Sequence, residues 1–210
     1  MARVDDYIHA KTIAIERLQK ATFADLVRCS GFGTSDDTML RVPFLDRVYR
    51  IEYPSFAFFD ESGDVKEIPL QEQVLILHYL TAPGVDSPAG NRITFREIPG
   101  ASLYFSVFVK RAIDPLKQVF GQNLSGFSEA ARRLGGKAID HGDVAVAFSV
   151  LPKVSVRIIL WEGDDEFPPE ASILFDETIS DIFSPEDVAW LSGLLVYRLI
   201  SISKQTGKSV

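Results

Sequence analysis

The chain has 210 residues, 46% hydrophobic and 24% charged, with a net charge of -7. That is enough apolar material for a sizeable core and too little charge for a disordered chain. The negative balance argues against a nucleic-acid partner, which calls for concentrated Lys and Arg. Cys29 is the single cysteine. One thiol makes no internal disulfide and ligates no iron-sulfur cluster or four-cysteine zinc site. It is expected to be a small buried group of low reactivity.

The N-terminal residues carry no apolar signal core before Asp5 and Asp6. The longest apolar runs, Val74 to Leu77 and Ile158 to Trp161, fall far short of the ~20 residues that span a bilayer. The expectation is a cytoplasmic chain with no membrane partner.

In chain order, Tyr7, Ile8, Ile13, Ile15 and Leu18 give a helical apolar face from Asp5 to Lys20. Thr22 and Asp25 have the spacing of a cap for a second short helix, which Gly31 and Gly33 stop. Met39 to Phe44 and Arg47 to Tyr53 read as strands joined at Leu45-Asp46. Phe56 to Phe59 and Val65 to Ile68 flank the turn Asp60 to Asp64. Pro69 opens a helix over Gln71 to Leu80 that is apolar on nearly all sides and so buried, His78 with it as a core imidazole.

Thr81 to Asn91 is a loop, and Arg92 to Ile98 a strand with Ile93 and Phe95 on one face, Thr94 and Arg96 on the other. Leu103 to Val109 leans to helix. Asp114-Pro115 reads as cap and first turn of a helix to Phe120, and Ser128 to Leu134 as a short helix ended by Gly135-Gly136. Val144 to Leu151 and Val154 to Trp161 form a hairpin about Pro152-Lys153, followed by a strand over Ala171 to Phe175. Ser184-Pro185-Glu186-Asp187 caps a C-terminal helix through Leu195 to Ser201.

No linker or repeat divides the chain, so residues 1–203 are expected to form a single domain with a polar tail at 204–210. The element order is not regular βαβ. It predicts an α+β fold, a mostly antiparallel sheet with hairpins, covered by helices, with a long C-terminal helix.

Charge is unevenly spread. From Ile158 to Tyr197 there is no Lys or Arg, while ten acids fall in the same stretch. The densest run follows a hydrophobic strand and is stiffened by two prolines: Trp161, Glu162, Gly163, Asp164, Asp165, Glu166, Phe167, Pro168, Pro169. Clustered carboxylates suit a hard divalent cation or a divided acid and base. They equally suit a solvated turn, and no calcium-loop spacing is present. Arg96-Glu97 is the second candidate, since an arginine at a strand end suits a carboxylate or phosphate ligand or an internal ion pair. We expect Arg96 and the turn from Glu162 to Glu166 to be spatial neighbours. Gly31-Phe32-Gly33 is only half a dinucleotide fingerprint, and no P-loop, zinc-protease or serine-elbow motif occurs.

Several segments together resemble a family of unknown function, number 3786 in the domain-of-unknown-function series. They are Gly135-Gly136-Lys137, Asp143-Val144-Ala145, Leu160 to Pro169, Ile173-Leu174-Phe175-Asp176, Phe95-Arg96-Glu97-Ile98-Pro99-Gly100 and Ser184 to Asp187. The resemblance runs from about Tyr7 to Leu199. It implies an origin in anaerobic bacteria or archaea, where some members carry an added four-cysteine iron-sulfur module that this chain lacks. It supplies no mechanism.

The functional expectation is a non-catalytic accessory protein of anaerobic metabolism that binds a cofactor, a protein partner or a small-molecule ligand. Its surface is expected to use Arg96, Glu97, Tyr104, Trp161 and Glu166. The alternative is a divalent-metal-dependent hydrolase using Asp164, Asp165, Glu166 and Asp176.

Overall fold

The computed structural model describes residues 4–64, 67–82 and 90–206, which fall into two compact units. The first comprises residues up to 87 together with 151–153 and 181–183. The second holds 88–150, 154–180 and 184 onward. The fold is α+β, with two antiparallel sheets and a long C-terminal helix.

In the first unit, helices α1 (Val4–Leu18) and α2 (Phe23–Ser30) precede a four-stranded meander. Its strands are β1 (Gly33–Asp36), β2 (Met39–Phe44), β3 (Arg47–Glu52) and β4 (Ala57–Asp60). The Thr22 hydroxyl accepts from Asp25 N at 3.2 Å, and Gly31 closes α2 at φ 73°, so the start and stop signals of α2 act as the sequence indicates. Alternation in β2 and β3 buries Leu40, Val42, Phe44, Tyr49 and Ile51. Helix α3 (Leu70–Thr81) buries Val74 to Leu77, Tyr79 and Leu80 on nearly all sides. Pro69 sits one residue before the helix as its cap. A buried carboxylate joins sheet and helix: the Tyr49 hydroxyl donates to Glu72 Oε2 at 2.5 Å.

Some expectations fail here. On α1 the buried residues are Tyr7, Ala14 and Leu18, while Ile8 and Ile13 are about half exposed. His78 is half-buried beside α1, lining a groove with Ala10, Ile13, Ala14, Arg17 and Thr81; it is not a core imidazole. Cys29 is also only half-buried, at the rim of a small hollow with Leu18, Leu26 and Leu80. Of the strand expected over Val65 to Ile68, Val65 and Lys66 lie outside the described residues, and Glu67 and Ile68 are not in a strand. The loop residues 83–89 and the last four residues of the tail lie outside them too.

The second unit is built on a five-stranded sheet ordered β5-β9-β8-β7-β6. The strands are β5 (Arg92–Thr94), β6 (Lys137–Ile139), β7 (Val144–Leu151), β8 (Val154–Trp161) and β9 (Glu170–Asp176). Cross-strand pairs Val156 with Phe175 and Ile158 with Ile173 define its apolar face. The helical side comprises α4 (Phe105–Phe108), a π-helical turn (Val109–Ile113), α5 (Asp114–Phe120), α6 (Leu124–Arg133) and α8 (Pro185–Thr206). A short α7 (Ile179–Ile182) follows β9. Helix α8 packs against α4, the π turn, α5 and α6 and fully buries Val188, Leu191, Leu195 and Leu199. Ser184 and Asp187 cap it reciprocally: Ser184 N and Oγ donate to Asp187 Oδ2, and Asp187 N donates to Ser184 Oγ. The helix runs on through Thr206, into residues expected to be a polar tail.

Two boundaries differ from expectation. Asp114-Pro115 starts no new helix, because the π turn feeds α5 without a break and no side chain caps it. Helix α6 begins at Leu124 and not at Ser128, capped by Asn123 Oδ1, which accepts from Gly126 N at 3.0 Å.

Candidate functional site

The expected strand Arg92 to Ile98 is a strand only as far as Thr94. Phe95–Glu97 is a turn of 3₁₀-helix. The cause is local. Thr94 N and Oγ1 donate to Glu97 Oε2 at 2.6 and 2.8 Å, so the carboxylate satisfies the backbone that would otherwise extend the ladder. These bonds hold Glu97 below the usual carboxylate range. Glu97 is thereby occupied as a cap.

Arg96 is exposed, with its guanidinium 3.6 Å from the centroid of Phe105. Among the described residues it makes no ion pair with Glu162, Asp164, Asp165 or Glu166. The covered ion pair expected there is absent because the 3₁₀ turn redirects the chain and the ring takes the cation. An exposed cation-π contact is worth about 0.5–1 kcal/mol. Arg96→Ala is therefore expected to lower stability by less than about 1 kcal/mol in a urea melt. A loss of several kcal/mol would reinstate a buried pair.

Tyr104 is half-buried and its hydroxyl donates to Glu186 Oε2 at 3.3 Å. The nearby Glu186 charge pushes its phenol pKa up. Trp161, at the end of β8, is half-exposed and meets the His141 ring edge-on at 6.2 Å.

The acidic turn after Trp161 is held by its own backbone. Asp164 Oδ1 accepts from Glu166 N at 2.8 Å and Phe167 N at 2.7 Å, and these donors lower its pKa. Asp143 Oδ2 accepts from Glu162 N at 2.8 Å. Gly163 N donates to Gly121 O at 3.1 Å, and a Cβ on Gly163 would stand 2.5 Å from Pro169 Cδ. Glycine is required there by this close approach. Asp165 and Glu166 point into solvent.

Asp176 is elsewhere. It closes β9 at the end opposite Glu170, which pairs with Trp161; six residues of strand place the two ends ~20 Å apart. The four acids of the hydrolase reading are therefore not brought together. Among the described residues no group of three or more His, Cys, Asp or Glu is placed to hold a metal ion, and no helix is long and apolar enough to cross a membrane.

The first unit holds a feature the sequence reading missed, an open cleft of about 470 Å³. Lys11 on α1, Arg50 on β3, Phe58, Phe59 and Asp60 on β4, Glu67, Ile68 and Gln73 line it. Its two cations, two carboxylates and two rings come from four stretches of chain, so no local motif announces it. Lys11 Nζ donates to Gln73 Oε1 at 2.7 Å, fixing the ammonium at the wall. Phe59 is 45% exposed, an apolar ring left uncovered beside these charges.

A model of the family described as Domain of unknown function (DUF3786) matches residues 22–198. The chain belongs to this family. No curated protein and no solved structure matches it. The DUF3786 match takes in both units and the segments on which the resemblance rests, Phe95 to Gly100 and Leu160 to Pro169 among them.

Proposed function

We propose that this DUF3786 protein is a non-catalytic binding protein whose first unit takes a small zwitterion, such as a free amino acid or short peptide, in the cleft between α1, α3 and the β3-β4 hairpin. The observation that carries the reading is the lining of that cleft. Lys11 and Arg50 suit a carboxylate, and Arg is the better two-pronged donor. Asp60 and Glu67 suit an ammonium group. Phe58, Phe59 and Ile68 offer apolar contact for a side chain. The volume lies within the ~300–1,000 Å³ usual for small-molecule sites, and the polar lining favours a polar occupant.

The test is calorimetric titration with the free amino acids and with short peptides. Binding is expected for a subset, at least tenfold weaker in Arg50→Ser, a substitution at an exposed position. Failure of every amino acid and peptide to bind contradicts the reading. The role in anaerobic metabolism rests on the family resemblance alone and is part of the proposal.

A second reading places a protein partner on the second unit, around Arg96 and Tyr104. Leu103 beside them is 83% exposed, an apolar side chain with no packing role. The hydrolase reading is disfavoured by the separation of Asp176 from the acidic turn.

A further inference from the structure

Two arginines stand on the five-stranded sheet, Arg92 on the edge strand β5 and Arg157 on β8, two strands further in. Register puts them on a common face. Arg92 pairs with Asp176, Thr94 with Leu174, and Arg157 with that same Leu174. The intervening residues Ile93, Phe175, Val156 and Ile158 belong to the other, helix-covered face. Arg92 and Arg157 thus lie two strands and two residues apart, with Cα atoms about 12 Å from each other, close enough for their long side chains to converge. Burial, then the charge of Arg157, lowers the Arg92 pKa, and Asp176 opposes the shift.

One carboxylate does not satisfy this pair. Asp176 is 2% exposed, and its oxygens are taken by backbone and hydroxyl donors. Oδ1 accepts from Thr178 N and Oγ1 at 3.3 and 2.9 Å, and Oδ2 accepts from Gly90 N at 3.3 Å. Arg92 Nη1 stands 3.6 Å from Asp176 Oδ2, an ion pair too long to be a hydrogen bond. Arg92 Nε and Nη1 and Arg157 Nε are shielded from solvent, and none has a hydrogen-bond partner among the described residues. A guanidinium does not shed its proton to escape this position. Covered donors left unmade cost free energy, more so on charged groups, and natural structures keep few of them. The surplus positive charge and the vacant N–H groups point the same way.

We propose that Arg92 and Arg157 form an oxyanion-binding site on this sheet face, taking a small ligand through a carboxylate or phosphate group. Asp176 pairs with Arg92 and accepts from Gly90 N, and the ligand's oxygens accept from the N–H groups that Asp176 leaves open. The fork of each guanidinium matches two oxygens of either group. The site is separate from the cleft of the first unit and stands or falls without it.

The experiment uses the full chain. Inorganic phosphate and succinate are each titrated against sodium chloride at matched ionic strength, while the arginine Nε–Hε resonances of 15N-labelled protein are followed. The expected result is a saturable shift of two Nε–Hε signals, assigned to Arg92 and Arg157 by loss of one signal each in Arg92→Lys and Arg157→Lys. Affinity should fall at least tenfold in Arg157→Lys. Response to phosphate alone assigns a phosphoryl ligand, and response to succinate alone assigns a carboxylate. If neither anion moves these signals in the wild-type protein, the proposal is overturned, and this readout needs no variant to fold. Equal affinity in a folded Arg157→Lys protein overturns it as well.

Discussion

Leu195→Ala is expected to destabilise the second unit by about 2–5 kcal/mol, the usual range for deleting a fully buried leucine side chain beyond Cβ. Leu195 has no exposure, and its helix, α8, packs against four other helical segments. Each neighbour is fixed by its own contacts. Phe95 and Phe108 stack at 4.2 Å, Phe108 meets Phe175 at 6.3 Å, and Phe120 meets Phe127 edge-on at 5.5 Å. A wall of interlocked rings has little room to collapse onto the missing methyl groups, so the cavity cost adds to the lost transfer free energy. Urea unfolding followed by far-UV dichroism measures it. The midpoint should fall with the slope unchanged. An unmoved midpoint would mean that this face of α8 is not in the core.

Tyr49→Phe is expected to cost about 1.5–3 kcal/mol, although it removes one oxygen and leaves the ring in place. Tyr49 has no exposure and Glu72 is 2% exposed. The phenol donates to Glu72 Oε2 and accepts from Arg47 Nη1 at 3.3 Å. Phenylalanine returns neither bond, and the glutamate oxygen loses a donor in a place where water does not replace it. The same geometry sets a pH response. Burial first, then the bond to Glu72, raises the Tyr49 pKa well above the ordinary phenol value of 10.0. A group whose pKa is raised by folding stabilises the fold fully below its unfolded value. That contribution is lost as pH rises through the folded value. Wild-type stability should thus decline above about pH 10 more steeply than that of Tyr49→Phe. Parallel declines would show that Tyr49 is not the group responsible.

Much of the fold could be read from residue pattern because the relevant signals are local. Ser184 to Asp187 carries both halves of its cap within four residues, and Pro152-Lys153 joins two strands whose alternation is plain. Helix α3 is apolar over Val74 to Leu77, Tyr79 and Leu80 and is buried there on nearly all sides. The 3₁₀ turn at Phe95–Glu97 was missed: the alternation of Ile93 and Phe95 reads as a strand, and the signal that counters it is the capping-box spacing of Thr94 and Glu97. Asp114-Pro115 misled for the opposite reason. It has the composition of a helix start, yet the π turn before it already supplies helical backbone, so no cap is needed.

The site was less legible. Acid density drew attention to Glu162–Glu166, but Asp164 spends its carboxylate on two backbone N–H groups of its own turn. The more demanding chemistry lies in Arg157, a guanidinium in the middle of a largely apolar strand. That placement was a signal in itself. What the sequence does not contain is the strand order β5-β9-β8, which brings Arg92 beside it from 65 positions away. The cleft of the first unit is hidden likewise, because its charges meet only when α1 lies along α3 and the meander folds.

The central claim is that this protein binds a small zwitterion at that cleft. Its most direct test is a 15N amide spectrum of the full chain before and after addition of a mixture of free amino acids at millimolar concentration. The account predicts saturable shifts at Lys11, Arg50, Phe58, Phe59, Asp60 and Gln73. Amides at these positions that stay unmoved in the presence of the whole mixture would contradict it.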